Sequence, residues 1–318
     1  MLGLYLSIPF CRSKCTYCNF ASGVFPAAHH QRYVARLEED LSLIRARAHK
    51  WGAVLPPAAD SIYFGGGTPS LLAPALFRSL FASLRREFAV LPTAEITVEC
   101  APGQLDPAVL DMLVECGVNR ISFGVQSFID SEAQSIGRLH NRATALADIR
   151  RVRDAGIADI SVDLIAGLPG QSMRSWFESL GVLADSGVDH ASLYMLEVDE
   201  DSRLGREILL GGKRYGASDV PSGDEIADLY ETAVERLARA GLDRYEISNF
   251  ARPGFESRHN LKYWTREPYL GFGADAHSFD GGRRWSNVES ASEYADGARI
   301  SEQSPADPIG ERFFLGLR

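Results

Sequence analysis

The sequence lacks a hydrophobic run that approaches the roughly 20 apolar residues of a membrane-spanning helix. The N terminus also lacks the cationic start of a secretory signal peptide, and Cys11 falls where the apolar core of such a peptide would lie. These absences predict a cytoplasmic protein with no transmembrane segment, and they leave peripheral association with a membrane open.

Cysteine and basic residues are also scarce. The chain has 318 residues and five cysteines, three of them between positions 11 and 18, which is unlike the disulfide framework of a secreted protein. Acidic residues outnumber basic ones, 42 against 33, and the resulting net charge of −9 argues against a nucleic-acid partner. Hydrophobic residues make up 45% of the chain, which is enough for a full core.

Short β-strand patterns alternate with amphipathic helical patterns over residues 1–200. The strand patterns are LGLYLSIPF, DSIYFGGG, AEITVEC, RISFGVQSF, DISVDLIAGLP and HASLYMLEV. This alternation predicts parallel strands joined by right-handed crossovers. Within the strands, apolar residues alternate with small or polar ones; for example, Ile160, Val162 and Leu164 face away from Ser161 and Asp163.

The polar face of these strands distinguishes an open barrel from a closed one. A closed eight-stranded barrel would fill its inner face with branched apolar residues. The pattern therefore predicts an α/β fold, a partial (β/α)6 TIM-like open barrel over residues 1–200 whose concave face lines a wet ligand cavity. A short C-terminal α+β extension, residues 201–318, would complete the catalytic core. An antiparallel sheet with one solvent-exposed face is the alternative.

Residues that could bind a ligand or take part in catalysis lie at the ends of the predicted strands. They are Gly65–Gly67, Glu99, Gln126, Asp163 and Glu197. In parallel α/β folds the ligand site forms at the C-terminal ends of the strands. The cysteine loop follows the first strand, so we expect it at the same rim.

Three cysteines form a C-x3-C-x2-C motif, Cys11, Cys15 and Cys18. Three thiolates at this spacing can hold an iron–sulfur cube and leave one iron open to a substrate or cofactor, as catalytic zinc sites keep one position open. The alternative is a structural zinc ion with His29 or His30 as its fourth ligand. The residues by themselves identify no catalytic group, so whether the protein is an enzyme stays open.

The cysteine motif, with Tyr17 directly before Cys18 at the end of a first barrel strand, resembles that of the radical S-adenosylmethionine superfamily. The resemblance implies a [4Fe–4S] cluster whose open iron chelates the amino and carboxyl groups of S-adenosylmethionine. It also implies an electron donor for the cluster, because electron transfer cleaves the sulfonium to a 5′-deoxyadenosyl radical in this superfamily.

Five further stretches resemble the oxygen-independent coproporphyrinogen III oxidases and their close relatives: LYLSIPFC, GGGTP, ISFGVQSF, IGRLHN and VDLIAGLPGQ. The cofactor-binding residues that this resemblance implies are Tyr5, Tyr17, Gly66, Gly67, Thr68, Glu99, Gln126, Arg138 and Asp163. For Arg138 an ion pair inside the barrel mouth is a serious alternative. Ala101 departs from the Asn that is common in the family.

The stretch HNLKYW resembles the H-N-x-x-Y-W signature of the haem chaperone branch of this family, the HemW proteins. Phe20 also matches that branch, because the oxidases have a further cysteine at this position. The resemblance implies haem as cargo and an acceptor haemoprotein as partner. The implied haem residues are His259, Asn260, Tyr263 and Trp264. For His259, and likewise for the two aromatic residues, a place in the packed core is the alternative.

The expected function is therefore that of a haem chaperone. The alternatives are radical oxidative decarboxylation of coproporphyrinogen in porphyrin biosynthesis, and a zinc-stabilised binding module. Relatives continue into a small C-terminal helical domain, so the resemblance also implies that this chain is truncated.

Overall fold

A computed structural model describes residues 1–298 and 300–316 of the chain. The strands in this part are β1 Leu2–Ile8, β2 Ala58–Gly66, β3 Ala89–Cys100, β4 Arg120–Gln126, β5 Asp159–Ala166, β6 His190–Met195, β7 Asp243–Arg244, β8 Asn249–Ala251, β9 Tyr269–Phe272, β10 His277–Phe279, β11 Arg283–Asn287 and β12 Ile300–Pro305. They form one sheet in the order β12-β11-β10-β9-β1-β2-β3-β4-β5-β6-β8-β7.

Helices connect the strands and cover the outer face of the sheet. They are α1 Ala27–Lys50, α2 Pro74–Glu87, α3 Pro107–Glu115, α4 Asp130–Ser135, α5 Arg142–Asp154, α6 Met173–Asp185, α7 Arg203–Leu209, α8 Gly223–Arg239, α9 Arg258–Thr265, α10 Ala291–Ala295 and α11 Pro308–Leu315. Within the described residues, no helix has both the length and the apolar character that crossing a membrane requires.

Strands β1 to β6 pair in chain order, and every pair is parallel. The sheet does not close: β9 pairs with the free edge of β1, and β8 pairs antiparallel with β6. The prediction of an open partial (β/α)6 barrel is confirmed. The antiparallel alternative is wrong for these six strands, because helical crossovers return each strand in the same direction.

The outer face of the barrel carries the hydrophobic core. Phe64 of β2 is fully buried, and its ring lies 5.6 Å from that of Phe77 and 5.1 Å from that of Phe81, both in α2. Burying one such side chain stabilises the fold by about 1.5–3 kcal/mol. The amphipathic period of α2 thus places its apolar stripe on the apolar face of the strands.

The inner face of the barrel is polar, and several of its side chains pair with each other. The Ser122 hydroxyl donates to Asp163 Oδ1 at 3.0 Å, and Ser161 Oγ lies 2.8 Å from His190 Nδ1. Buried polar groups must find such partners, because an unpaired one costs about 1–3 kcal/mol. The alternation seen in the sequence therefore corresponds to a hydrated or hydrogen-bonded interior.

Helix α9 closes the N-terminal end of the barrel. Glu95, on the inner face of β3, accepts hydrogen bonds from the backbone N–H groups of Arg258 and His259 at 2.9 and 3.0 Å. Lys262 is 2% exposed, and its Nζ lies 2.9 Å from Asp60 Oδ1. An acidic side chain at the first turn satisfies the free N–H groups of the helix and favours its dipole.

Strands β7 to β12 extend the same sheet at both of its edges. Strands from both sides of residue 200 thus belong to one sheet, and the domain boundary expected there stays a prediction. Helix α8 begins after Ser222, whose side chain forms a capping box with Glu225.

Candidate cofactor site

A cavity of about 630 Å³ opens at the C-terminal ends of the barrel strands. The expected site residues that line it are Cys11, Cys15, Tyr17, Cys18, Gly66, Gly67, Thr68, Glu99, Gln126, Arg138 and Asp163. Tyr5 lies deeper in the barrel, with its ring stacked 6.1 Å from that of Tyr63. The structure therefore brings the expected cofactor residues together, while what each one binds stays a prediction.

The cysteine loop is held against the barrel by backbone hydrogen bonds. The Cys11 N–H donates to the Gly23 carbonyl at 2.8 Å, and the Thr68 N–H donates to the Phe10 carbonyl at 2.8 Å. All five cysteines are free thiols. The loop therefore presents three unpaired thiols to one cavity, as a cluster held by three thiolates requires.

Polar groups surround two of these thiols. Burial raises the pKa of the Cys11 thiol, and the hydroxyls of Ser22 and Thr68 oppose that rise. At Cys15, Arg138 Nη1 donates to the sulfur at 3.5 Å. A metal centre would replace the protons on these sulfurs, so the donor set fits an iron–sulfur cluster.

The glycine run after β2 lets backbone segments meet at the edge of the cavity. A Cβ at Gly67 would come within 2.8 Å of the backbone of Pro9 and Phe10, in the cysteine loop. Gly66 has φ +106, and its N–H donates to Glu99 Oε2 at 3.1 Å. The motif is more than a tight turn, because it allows β2 to approach both the cysteine loop and a buried acid.

Two buried carboxyl groups face the cavity. Burial first, and then the charge of Asp163, raise the pKa of Glu99 to about 7. Burial raises the pKa of Asp163 to about 6, against the hydrogen bond from Ser122. Such acids gain by accepting hydrogen bonds from a cation or from hydroxyl groups, so the cavity favours a ligand with an ammonium or a ribose.

Arg138 and Gln126 have polar atoms without a protein partner. Arg138 donates to the Gly124 carbonyl and to Cys15, and its Nε is buried without a partner. In the described part of the chain no carboxylate oxygen lies within ion-pair distance of Arg138, although its charge opposes the rise in the pKa of Asp163. Gln126 has φ 70, and its buried Oε1 is unpaired. Strained residues with unsatisfied groups are typical of ligand sites.

The HNLKYW stretch lies in α9, at the opposite end of the barrel from the cysteines. His259 is 1% exposed, with Nδ1 at 2.9 Å from Ser61 Oγ and Nε2 at 3.0 Å from the Tyr263 hydroxyl. Burial and the neighbouring Lys262 lower the pKa of His259 to about 3. With both nitrogens occupied, His259 has no free atom for iron, and the geometry favours the packed-core alternative.

The other expected haem residues of the HNLKYW stretch lie in two different environments. The Asn260 N–H donates to Ser257 Oγ at 3.3 Å, as part of the helix start. Tyr263 and Trp264 line a surface cavity of about 480 Å³ together with Tyr269 and Phe314. The four expected haem residues therefore do not converge on one point, and only the two aromatic ones reach this cavity.

The zinc alternative lacks its fourth ligand. The His30 ring stacks on Phe10 at 3.7 Å, and the His29 ring stacks on Phe25 at 4.7 Å. Within residues 1–298 and 300–316, no three His, Cys, Asp or Glu side chains stand around a single ion position. Thiolates of an iron–sulfur cube bind separate irons, so they need not meet at one point.

Sequence reasoning did not single out three residues that line the cavity, Gln104, Tyr194 and Met195. It also missed Tyr63, which lies beneath the cavity and donates to Glu99 Oε1 at 2.9 Å. A period-2 alternation of β2 and β6 could have placed Tyr63 and Tyr194 on the inner face, whereas Gln104 lies in a loop with no such signal.

Comparisons with known proteins agree with the site. The family model described as the Radical SAM superfamily matches residues 5–183. Heme chaperone HemW of Lactococcus lactis is 34% identical over 99% of this chain and 80% of its own length. Heme chaperone HemW of Bacillus subtilis is 33% identical over 100% of this chain and 83% of its own length.

Among solved structures, coproporphyrinogen III oxidase (HemN) from Escherichia coli, described as a radical SAM enzyme, superposes with a TM-score of 0.81. The identity is 24%, and the match covers 99% of this chain and 74% of that one. At this identity the likeness shows the fold. The family match and the HemW similarity establish that the chain belongs to the radical SAM superfamily and, within it, to the HemW family.

Proposed function

We propose that the protein is a haem chaperone that binds haem and delivers it to an acceptor haemoprotein. The observation that carries this proposal is the similarity, over the whole chain, to proteins named heme chaperone HemW. Phe20 adds to it. This side chain is 60% exposed at the edge of the cofactor cavity, where the resemblance gives the oxidases a cysteine.

Membership of the superfamily implies a [4Fe–4S] cluster and S-adenosylmethionine. Bound together, they supply one-electron reductive chemistry at a sulfonium, for which an electron donor is needed. In our proposal Cys11, Cys15 and Cys18 hold the cluster with its open iron towards the cavity. Glu99 and Asp163 accept hydrogen bonds from the cofactor's amino group or ribose, and Arg138 donates to its carboxylate.

For the cargo, the proposal places haem against the surface cavity of Tyr263 and Trp264. The Tyr263 and Tyr269 rings meet edge-to-face at 4.6 Å, so this wall is rigid and aromatic. Flat apolar rings suit the face of a porphyrin. The cavity volume of about 480 Å³ is of the order that small-ligand sites have.

One anaerobic assay distinguishes the proposal from the oxidase alternative. Cluster-reconstituted protein receives S-adenosylmethionine and a reductant, with haem in one series and coproporphyrinogen in the other. We expect stable haem binding and no decarboxylation at an enzymatic rate. Product with vinyl groups at enzymatic turnover would overturn the proposal and support the oxidase.

Two variants locate the haem within that assay. Trp264→Ala should weaken haem binding about tenfold, because it removes the larger aromatic wall. His259→Ala separates iron ligation from packing. We expect haem affinity within about twofold of the parent and a lower melting temperature, since buried hydrogen bonds are lost. A selective loss of haem binding in His259→Ala, with iron and sulfide unchanged, would restore His259 as the ligand.

A further inference from the structure

Tyr63 connects the cofactor cavity with the helix that closes the other end of the barrel. Its hydroxyl donates to Glu99 Oε1 at 2.9 Å, while the other oxygen of Glu99 accepts from the Gly66 N–H at 3.1 Å. Both carboxylate oxygens of Glu99 are thus directed by groups of β2. A carboxylate fixed by two donors has one preferred orientation towards a ligand.

The neighbouring glycine makes room for this pair. A Cβ at Gly65 would lie 3.0 Å from Glu99 Oε1 and 3.0 Å from Cε1 of Tyr63. Real Cβ contacts are rarely that close, so one of the two side chains would have to move. Glycine at position 65 therefore leaves room for the Tyr63–Glu99 contact, whereas a larger residue would displace Tyr63 or Glu99.

On its other side, the Tyr63 ring is held by the closing helix. It lies 5.3 Å from the His259 ring and 6.1 Å from that of Tyr5. His259 is itself fixed by its two hydrogen bonds, to Ser61 and Tyr263. The position of the Tyr63 hydroxyl is thus set by contacts with α9 and β1 that do not reach the cavity.

We propose that Tyr63 is a positioning residue of the cofactor site: its hydroxyl orients Glu99 towards the bound ligand, and α9 holds its ring in place. The inference rests on the proposed role of Glu99 in binding S-adenosylmethionine. It also gives the HNLKYW stretch a second role, since His259 supports the cofactor site through Tyr63 without touching the cofactor.

The charges around Glu99 give this role a pH signature. The titratable groups that interact with it are Asp163 of β5, Tyr194 of β6, Tyr5 of β1, Tyr63 of β2, Tyr263 of α9 and the neighbouring Cys100. Burial and Asp163 raise the pKa of Glu99 to about 7, and the Tyr63 and Gly66 hydrogen bonds act against that rise. Removing the Tyr63 hydroxyl therefore raises this pKa further.

The test is the affinity of Tyr63→Phe for S-adenosylmethionine, measured by anaerobic equilibrium dialysis of cluster-reconstituted protein between about pH 6 and pH 8.5. The amino group of the cofactor donates a hydrogen bond to the Glu99 carboxylate, so we expect about tenfold weaker binding at low pH and a deficit that shrinks as pH rises. A loss that is equal at every pH, or no loss, would overturn the proposal.

Three further variants complete the design, with iron and sulfide assayed in each. Tyr294→Phe removes another buried tyrosine hydroxyl, one that donates to a carboxylate oxygen, Asp40 Oδ2, at 2.6 Å and contacts neither α9 nor the cavity, and it should leave the binding curve unchanged. Glu99→Gln should remove the part of the pH dependence that comes from Glu99, leaving that of Asp163, whose pKa is about 6. In the Glu99→Gln background, Tyr63→Phe should have no further effect on the binding curve. If Glu99→Gln binds S-adenosylmethionine as the parent does, Glu99 has no role in cofactor binding. If Glu99→Gln binds more weakly but Tyr63→Phe binds as the parent does, Glu99 keeps its role and Tyr63 is not a positioning residue. His259→Ala removes a ring that lies 5.3 Å from that of Tyr63 and leaves the Glu99 contacts in place; it should shift the curve in the same direction as Tyr63→Phe, and it decides the matter if Tyr63→Phe does not fold.

Discussion

The two ends of this barrel use the same inner-face alternation for different purposes. At the N-terminal end charged groups are paired: Arg120 Nη1 lies 2.6 Å from Asp159 Oδ1, and Lys262 lies between Asp60 and Glu267. At the C-terminal end polar atoms of Gln104, Gln126 and Arg138 are buried without a protein partner.

The difference shows where buried polar groups stabilise the fold and where they are available to bind a ligand. A paired buried group contributes to the closed end, whereas an unpaired one is costly until something binds. Barrels of this type place conserved chemistry at the C-terminal end of the strands and stability at the N-terminal end. Changes at the two ends should therefore separate cofactor loading from folding.

The largest expected effect is at the C-terminal end, in the cysteine loop. Cys11→Ala, Cys15→Ala or Cys18→Ala should each abolish cluster retention, because two thiolates cannot hold the cube. Iron, sulfide and the broad absorbance near ~400 nm of the reconstituted protein report the result. Cys116→Ala and Cys100→Ala are the controls and should keep the cluster. If Cys100 proved essential, the three-thiolate site would be wrong.

At the N-terminal end the largest effect should be on folding. Arg120→Ala leaves Asp159 uncompensated, and because the Arg120 side chain is 2% exposed, the free energy of unfolding should fall by about 3 kcal/mol. Urea unfolding measures this. The matched control is Arg239→Ala, whose pair with Glu235 is exposed and should be worth less than about 0.5 kcal/mol. If both variants lost the same free energy of unfolding, the buried ion pair would stabilise the protein no more than the exposed one.

A third test concerns the pH dependence of stability that arises from Glu99, at the C-terminal end of the barrel strands. The pKa of Glu99 is about 7 in the folded protein, above its usual value of 4.5, so the folded state binds the proton more tightly than the unfolded state. Relative to Glu99→Gln, the cofactor-free protein should therefore lose about 2 kcal/mol of stability as pH rises from about 4.5 to about 7. Urea unfolding of both proteins across this range measures the difference, which separates Glu99 from the buried histidines and Asp163 that titrate in the same range. An equal pH dependence of stability in both proteins would contradict the raised pKa.

The smallest effect is expected at the edge of the cavity. Phe20→Cys should change the free energy of unfolding by less than about 0.5 kcal/mol, because the side chain is 60% exposed. It should also create no coproporphyrinogen decarboxylation, since the substrate contacts would have to differ as well. Product analysis after anaerobic incubation tests this, and turnover by this single variant would show that Phe20 alone separates the two functions.

Much of the fold was predictable because its signals are local. The alternation in β5, with Ile160 and Val162 opposite Ser161 and Asp163, depends only on the pleat of a strand, and the observed parallel pairing follows from the helical connections. The cysteine spacing is also local. The position of α9 could not be predicted from local signals, because Glu95 and Arg258 are distant in the chain and contact each other only in the folded barrel.

By itself, the sequence determined the open barrel, the cysteine loop at its C-terminal rim and the acids beside it, since strand period and motif spacing fix these features. The tertiary structure alone decided that His259 lies at the closed end with both ring nitrogens bonded, and that Tyr63 connects it to Glu99. The reason is physical: burial and hydrogen-bond partners depend on which distant segments pack together, and α9 is 198 residues from Ser61 in the chain at the His259–Ser61 contact.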